Sequence, residues 1–126
     1  MDTEVEKDEV RAGELREMLS GLVAYMARFE SGVRRTVGLY QGGEVEQAHR
    51  NTIEILDGLG WIMEGVDVCK ELLDINVTDL VQTLEQLQSS LENGDNVTTS
   101  DLFEHELLPT VARWKQRMMD VDGGIA

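Results

Sequence analysis

The feature that most restricts the fold is an apolar stripe that runs unbroken from residue 45 to residue 73. Its members follow one another in alternating steps of three and four: Val45, Ala48, Thr52, Ile55, Leu59, Ile62, Val66, Cys69 and Leu73. This spacing keeps one side of an α-helix against neighbouring helices, as in a helical bundle. The sequence therefore predicts a helix of about 45 Å, at a rise of about 1.5 Å per residue.

Three further segments show the same periodicity and predict three more helices. The first carries Leu15, Leu19, Leu22, Met26, Phe29, Val33, Val37 and Tyr40 and ends at Gln41-Gly42-Gly43. The third carries Val77, Leu80, Leu84, Leu87 and Leu91, follows the link Asp74-Ile75-Asn76, and ends at Asn93-Gly94. The fourth carries Phe103, Leu107, Val111, Trp114, Met118 and Val121, with Thr98, Thr99 or Ser100 as its N-cap. Short connections between such helices predict an all-α, antiparallel up-down four-helix bundle.

Pro109 lies inside the fourth segment. Proline cannot donate to the carbonyl of His105 and its ring crowds that turn, so the helix should bend near residues 105 to 109. Because the apolar phase continues on both sides of the proline, we expect one kinked helix. Two helices broken at Leu108 are the alternative.

The chain has 126 residues, which predicts a single domain over residues 1–126. Residues 1–12 have no apolar stripe, and we expect them to be flexible. The acidic N-terminal stretch lacks the basic character of an export signal, and the single cysteine, Cys69, agrees with a reducing compartment. Cytoplasmic localisation is therefore expected.

The formal net charge of -14 is the strongest compositional constraint on partners. A field of this sign repels nucleic-acid phosphates and anionic lipids, so we expect neither nucleic acid nor a membrane as partner. The basic clusters Arg34-Arg35 and Arg113, Lys115 and Arg117 are small, and we interpret them as solvated helix ends.

The second helix carries more apolar surface than one seam requires. Beside the main stripe lie the predicted partner-binding residues Ile53, Leu56, Gly60, Trp61 and Met63. A helix that is apolar nearly all round is buried on more than one side. This surface is therefore part of the core, a dimer interface or a groove for a partner.

Glycines at positions 58, 60 and 65 also interrupt good helix sequence at a cost of about 1 kcal/mol each. Either close packing within the monomer or a partner contact accounts for them. Leu102 and Leu108 fall outside the main stripe of the fourth helix, which adds weight to the partner interpretation.

Few residues suggest chemistry. Glu46 and His49 form one E-x-x-H pattern of the kind that di-iron bundles use twice, so a carboxylate and histidine metal site is a possible alternative function. Glu46 is also explained by an ion pair with Arg50, one helical turn away. Cys69 occupies a seam position, where it acts as a small buried apolar residue. We predict no catalytic residue, no bound metal and no cofactor.

The segment YQGGEVEQAHRNTIEILDGL, residues 40 to 59, resembles the flagellin export chaperones of bacteria. In both, a helix ends in a glycine-containing acidic turn, and the next helix begins with a Glu-x-x-x-Ala step and an Ile-Leu run. The resemblance covers about Gly21 to Arg117. It implies a small acidic helical bundle that wraps the C-terminal helices of flagellin before export. The segment LENGD…SDLFEHELLP is similar to uncharacterised small proteins of spore-forming bacteria.

These observations predict a non-enzymatic bundle that binds protein, either as an export chaperone or adaptor or through self-association. An amphipathic helix of the partner would lie against Leu56, Gly60, Met63 and their neighbours. A structural homodimer is the alternative.

Overall fold

The computed structural model describes the backbone of residues 3–123 and the side chains of residues 10–78 and 80–123. Over this range the chain is all-helical and contains no strand, which confirms the predicted fold class. The helices are α1 (Thr3–Gln41), α2 (Val45–Val68), α3 (Lys70–Leu73), α4 (Thr78–Glu92), α5 (Asn96–Leu102) and α6 (Leu108–Asp122). A π-helical turn (Phe103–Leu107) joins α5 to α6.

Helix α1 is the central element of the fold. It packs against α2, α5, the π-helical turn and α6, and α4 packs against α5. The predicted stripe of α1 is buried from Leu19 to Tyr40, and Leu22, Met26 and Val33 are completely enclosed. The stripes therefore form the core, because each turns one side of its helix towards the others.

The second predicted helix is shorter than its apolar stripe. It ends at Val68, Cys69 leaves the helical conformation (φ -96°, ψ 16°), and the short α3 follows up to Asp74, whose φ is 50°. The helix of 24 residues is about 36 Å long. The expectation of one helix up to Leu73 was wrong, because Cys69 and Leu73 both remain fully buried across the break and so preserve the periodicity.

Glycine ends both predicted helix-stop segments. Gly43 and Gly94 have φ of 79° and 65°, conformations that side chains with a Cβ rarely adopt. The next helix after Gly94 is not capped by Thr98, Thr99 or Ser100. Asp95 is the N-cap, since its carboxylate accepts hydrogen bonds from the Thr98 backbone N–H at 3.1 Å and from the Thr98 hydroxyl at 2.6 Å.

The segment around Pro109 stays helical and is not broken at Leu108. The irregularity lies in the π-helical turn, where the Leu108 backbone N–H donates to the carbonyl of Phe103, five residues earlier. The bend near Pro109 itself remains a prediction.

The π-helical turn also explains why one expectation about partner contacts was wrong. Leu102 and Leu108 are buried in the core together with Phe103 and Leu107. A π-helical turn holds more residues than an α-helical turn, so it changes the phase of the helix and brings both flanking leucines inward. These two leucines are therefore not available to a partner.

The N-terminal segment that we expected to be flexible is helical from Thr3 onward, and residues 1 and 2 lie outside the described range. Its flexibility stays a prediction. Among the described residues, none of the helices combines the length and the apolar character that crossing a membrane requires.

Candidate functional site

The five residues predicted to bind a partner all lie on α2, and none of them is fully buried. Ile53 is 63% exposed and Trp61 is 41% exposed, which is high for side chains of their size. Gly60 is exposed, whereas Leu56 and Met63 are half-buried. The rest of the described chain therefore leaves this side of α2 partly open.

The five residues do not form one continuous patch. At about 100° per residue, Leu56 and Trp61 lie about 140° apart around the helix. Leu56 and Met63 lie at one edge of the buried side, Trp61 lies at the other edge, and Ile53 and Gly60 lie on the outer face between them.

The glycines of α2 have different roles. A Cβ at Gly65 would lie 2.7 Å from Leu22 Cδ2, and a Cβ at Gly58 would collide with the side chain of Tyr25. Gly58 and Gly65 therefore allow α1 to approach α2 closely. Gly60 has no atom within 4 Å of a built Cβ, so packing within the chain does not explain it.

Trp61 borders the contact between α1 and α2. Its ring packs edge-on against Tyr25 of α1, with 5.1 Å between the ring centroids. The Arg28 guanidinium carbon lies 5.8 Å from the centroid of the same Tyr25 ring. An exposed indole, a tyrosine and an arginine thus lie side by side where the two helices meet.

A cleft of about 250 Å³ lies beside this cluster, and we name it the α1–α2 groove. Helix α1 contributes Tyr25, Arg28, Phe29, Gly32, Arg35 and Thr36. Helix α2 contributes Asn51, Glu54 and Ile55. Phe29, Thr36 and Ile55 are buried and form its floor, while Arg28, Arg35 and Glu54 are exposed at its rims.

Our sequence interpretation missed the part of this groove that α1 supplies. The signal was present as a second set of three- and four-residue steps on α1: Met18, Gly21, Tyr25, Arg28, Gly32, Arg35 and Leu39. Two glycines and two arginines in this set obscure its apolar character. Only the position of α2 shows that four members of this set, Tyr25, Arg28, Gly32 and Arg35, line a cleft.

Two of the basic residues that we interpreted as solvated helix ends, Lys115 and Arg117, connect different helices, and Arg34 forms an ion pair within α1. Lys115 Nζ lies 3.2 Å from Glu30 Oε2, which joins α6 to α1. Arg117 Nε donates a 2.9 Å hydrogen bond to the carbonyl of Leu73, which joins α6 to α3. Arg34 also faces Glu30, at 3.9 Å.

Glu46 and His49, the residues of the possible metal site, contact different partners. Glu46 is almost fully exposed and lies 3.9 Å from Arg50, as expected for a surface ion pair. His49 Nε2 lies 3.1 Å from Asn96 Oδ1. Among the described residues, no group of three or more His, Cys, Asp or Glu side chains is placed to hold a metal ion.

Cys69 is fully buried in the core, as expected for an apolar seam position. Its thiol lies 3.8 Å from the Leu15 carbonyl oxygen. Burial raises the pKa of the thiol above its ordinary value of 9.0, because desolvation disfavours the thiolate.

A family profile described as "Domain of unknown function (DUF8042)" matches residues 17–117. The match begins two residues before the buried stripe of α1 and ends in α6, so it spans the buried core except Met118, which follows its last residue. No curated protein and no solved structure matches the chain.

Proposed function

The chain belongs to the DUF8042 family of domains of unknown function, and from its structure we propose that it is a non-enzymatic helical bundle that binds another protein through α2. The observation that carries this proposal is the exposure of Ile53 and Trp61, at 63% and 41%. Both side chains lie on one helix and the rest of the described chain leaves them exposed, so their burial against a partner would remove apolar surface from water. Trp is also among the residues that contribute most to binding at protein interfaces.

We further propose that the helices form an antiparallel up-down four-helix bundle, with α5, the π-helical turn and α6 together as the fourth helix. Contacts between α1 and α2 support opposite directions for these helices: Leu15 pairs with Cys69, Leu22 with Gly65, and Tyr40 with Thr52. Contacts between α1 and the fourth helix follow the same rule: Ser20 pairs with Asp122, Glu30 with Lys115, and Gln41 with Glu104.

The most specific form of the proposal is an export chaperone or adaptor that works in the cytoplasm. The resemblance of residues 40 to 59 to flagellin export chaperones supports it, and these residues form the end of α1, the connecting turn and the first half of α2. A chaperone of this kind covers an amphipathic helix of its client, and exposed apolar side chains spaced along a long helix suit that mode of binding.

A homodimer is the second candidate, because a second copy of the chain would cover the same exposed side chains. The size of the particle in solution separates the two candidates. Sedimentation of a single monomeric species across the accessible concentration range would exclude the dimer.

Capture of the tagged protein from its native cells tests the proposal. Ile53→Asp and Trp61→Ala change the exposed face of α2, and each should reduce the recovery of a bound protein at least about tenfold, since central interface residues contribute about 1–2 kcal/mol or more. Val97→Asp is the matched control, because Val97 is 73% exposed and lies on α5. Equal recovery by all three variants, or no recovered protein together with a strictly monomeric state, would contradict the proposal.

A further inference from the structure

Two arginines line one rim of the α1–α2 groove, and neither pairs with a carboxylate of the residues that the structure describes. Arg28 and Arg35 are one heptad apart, so their Cα atoms are separated by about 10 Å along the helix axis. Neither forms an ion pair or a hydrogen bond with another described residue, although the chain carries 25 acidic residues against 11 basic ones. By contrast, Arg34, Arg50 and Lys115 all pair with glutamates.

The Arg28 side chain is already restrained by a contact within the protein before a ligand binds. Its guanidinium lies against the Tyr25 ring, at 5.8 Å from the ring centroid. Tyr25 is in turn held between Trp61 and Phe29, with centroid distances of 5.1 Å and 6.1 Å. An arginine restrained in this way loses less side-chain entropy when it binds a carboxylate.

The rim that α2 supplies carries a negative charge, whereas the α1 rim carries the two positive charges of the arginines. Asn51 and Glu54 of α2 face the cleft, and Glu54 forms no ion pair with a described residue. The two rims thus present opposite charges that the cleft keeps apart. Between them, Gly32 has no atom within 4 Å of a built Cβ, so the middle of the groove is open.

Two of the three floor residues of the groove, Phe29 and Ile55, are apolar, and the third is Thr36. Phe29 and Ile55 are both 5% exposed, and the open indole of Trp61 continues the apolar surface beyond Tyr25 along α2. A ligand that matches this surface is long, apolar along one side, and charged along its two flanks. An amphipathic helix has these properties, with its apolar stripe towards the floor and charges on both flanks.

We propose that the α1–α2 groove binds an amphipathic helix of a partner protein, with acidic side chains of that helix on Arg28 and Arg35 and basic side chains on the Glu54 rim. This inference rests on the proposed protein-binding function and specifies the occupant. The net charge of -14 repels a uniformly acidic ligand. A helix with acids on one flank and bases on the other is compatible with both the local arginines and the overall field.

The test uses two designed, fluorescently labelled helical peptides with the same leucine stripe. The mixed peptide carries glutamate on one flank and lysine on the other, and the basic peptide carries lysine on both flanks. We expect the full-length protein to bind the mixed peptide, measured by fluorescence anisotropy. The double variant Arg28→Glu, Arg35→Glu should bind it about tenfold more weakly and should bind the basic peptide more tightly than the wild type does.

The matched control is Arg11→Glu, Arg16→Glu, which changes the net charge equally at exposed positions of α1 outside the groove. It should retain the affinity for the mixed peptide within about twofold, since remote surface charges act weakly at physiological salt. Circular dichroism melting curves establish that both double variants are folded. The loss of affinity for the mixed peptide in the Arg28, Arg35 variant should become smaller as the salt concentration is raised, because the contact between these arginines and the peptide is electrostatic.

Equal binding of the mixed peptide by the wild type and the Arg28, Arg35 variant, an equal loss in the control, or binding of neither peptide would overturn the inference. If the Ile53 and Trp61 variants still lose a native partner in that case, the proposed function stands and only the groove assignment fails. If the Ile53 and Trp61 variants keep the native partner and the Arg28, Arg35 variant keeps the mixed peptide, both the proposed function and the groove assignment are rejected. Self-association of the wild type that the Arg28, Arg35 variant abolishes would identify the occupant as a second copy and overturn the assignment to a partner protein.

Discussion

Gly65 of α2 lies directly against Leu22 of α1, so close that an added Cβ would lie 2.7 to 3.0 Å from three carbons of the leucine side chain. Both residues are buried, and Leu22 is completely inaccessible to solvent. A Cβ at residue 65 would therefore have to displace a leucine side chain within the core. This contact determines how closely the two longest helices approach each other.

We expect Gly65→Ala to destabilise the fold. Overpacking of this kind costs about 1–3 kcal/mol, whereas replacing a helical glycine by alanine contributes at most about 1 kcal/mol. Gly60→Ala is the control, because its Cβ would meet no atom within 4 Å. That variant should stabilise the protein by about 0.4–1 kcal/mol. Urea unfolding measures both, and a Gly65→Ala protein as stable as Gly60→Ala would contradict the close contact.

Glu30 carries the one largely buried carboxylate that forms an ion pair among the described residues, since its side chain is 10% exposed. Its Oε2 lies 3.2 Å from Lys115 Nζ and 3.9 Å from the exposed guanidinium of Arg34. Its second oxygen, Oε1, is buried without a hydrogen-bond partner. We expect Lys115→Met to cost up to about 3 kcal/mol, because it leaves the buried carboxylate with only the more distant, exposed Arg34 as its charge partner. The double variant Glu30→Met, Lys115→Met should recover most of this loss.

The control for the ion pair is Arg50→Met, which breaks the exposed pair with Glu46 and should cost less than about 0.5 kcal/mol. Thermal unfolding of the four proteins is the measurement. If Lys115→Met costs no more than Arg50→Met, the pair is not buried in solution.

Tyr40 should make the stability of the fold depend on pH in the alkaline range. Its hydroxyl is buried 3.0 Å from Thr52 Oγ1, and desolvation raises the pKa above the ordinary value of 10.0, although the hydrogen bond to Thr52 lowers it in part. The folded state therefore favours the protonated phenol. This contribution to stability is fully present below the unfolded pKa and is lost as the pH rises through the folded pKa.

Tyr40→Phe removes this titration. The variant should be less stable at neutral pH by about 1 kcal/mol, the usual net value of a lost buried hydrogen bond. Its stability should then fall less steeply than that of the wild type above pH 10.0, the ordinary tyrosine value. Urea unfolding at a series of alkaline pH values gives the two slopes, and parallel slopes would show that the phenolate is solvated.

Asp95 should make the stability of the fold decrease as the pH is lowered in the acid range, the reverse of the effect of Tyr40 at alkaline pH. Its hydrogen bonds with the Thr98 hydroxyl and, secondarily, with the Thr98 backbone N–H lower the pKa of the carboxyl below 3.8. The stability that this cap contributes is present above the unfolded pKa and is lost as the pH falls through the folded pKa. Asp95→Asn keeps an acceptor for the N–H of Thr98, so it should retain much of the cap and lose this part of the acid sensitivity.

The measurement is the thermal midpoint from neutral pH down to below 3.8. The wild type and Asp95→Asn should converge at the acid end. Asp95→Ala, which has no acceptor, should have a lower midpoint than both at neutral pH. A constant difference between wild type and Asp95→Asn at all pH values would exclude the titration of this carboxyl as the cause.

Much of the fold was predictable because the relevant information is local. The steps from Leu19 to Tyr40 and from Ala48 to Val66 identify the buried side of α1 and α2 without reference to other elements. The stops at Gly43 and Gly94 were equally predictable, since positive φ is a property of single residues. The end of α2 could not be predicted, because Cys69 and Leu73 continue the apolar periodicity beyond the residue at which the helix is interrupted.

The candidate site was predictable only in part, because it depends on two helices. The sequence identified Ile53 and Trp61 as apolar residues outside the main stripe, and both are exposed. It did not identify Arg28 and Arg35 as groove residues, because the second set of steps on α1 that contains them has the charged and small residues of a solvated helix face. Their significance arises from the position of α2 across the cleft.

By itself, the sequence determined the helical class, the core-facing side of each long helix and the glycine turns, since these follow from the period of the backbone and the conformations that a residue allows. The tertiary structure alone decided that Gly58 and Gly65 serve a close helix contact while Gly60 remains open. It also decided that the π-helical turn brings Leu102 and Leu108 into the core. These outcomes depend on distances between atoms far apart in the chain or on a change of helix phase, and neither is present in the spacing of apolar residues.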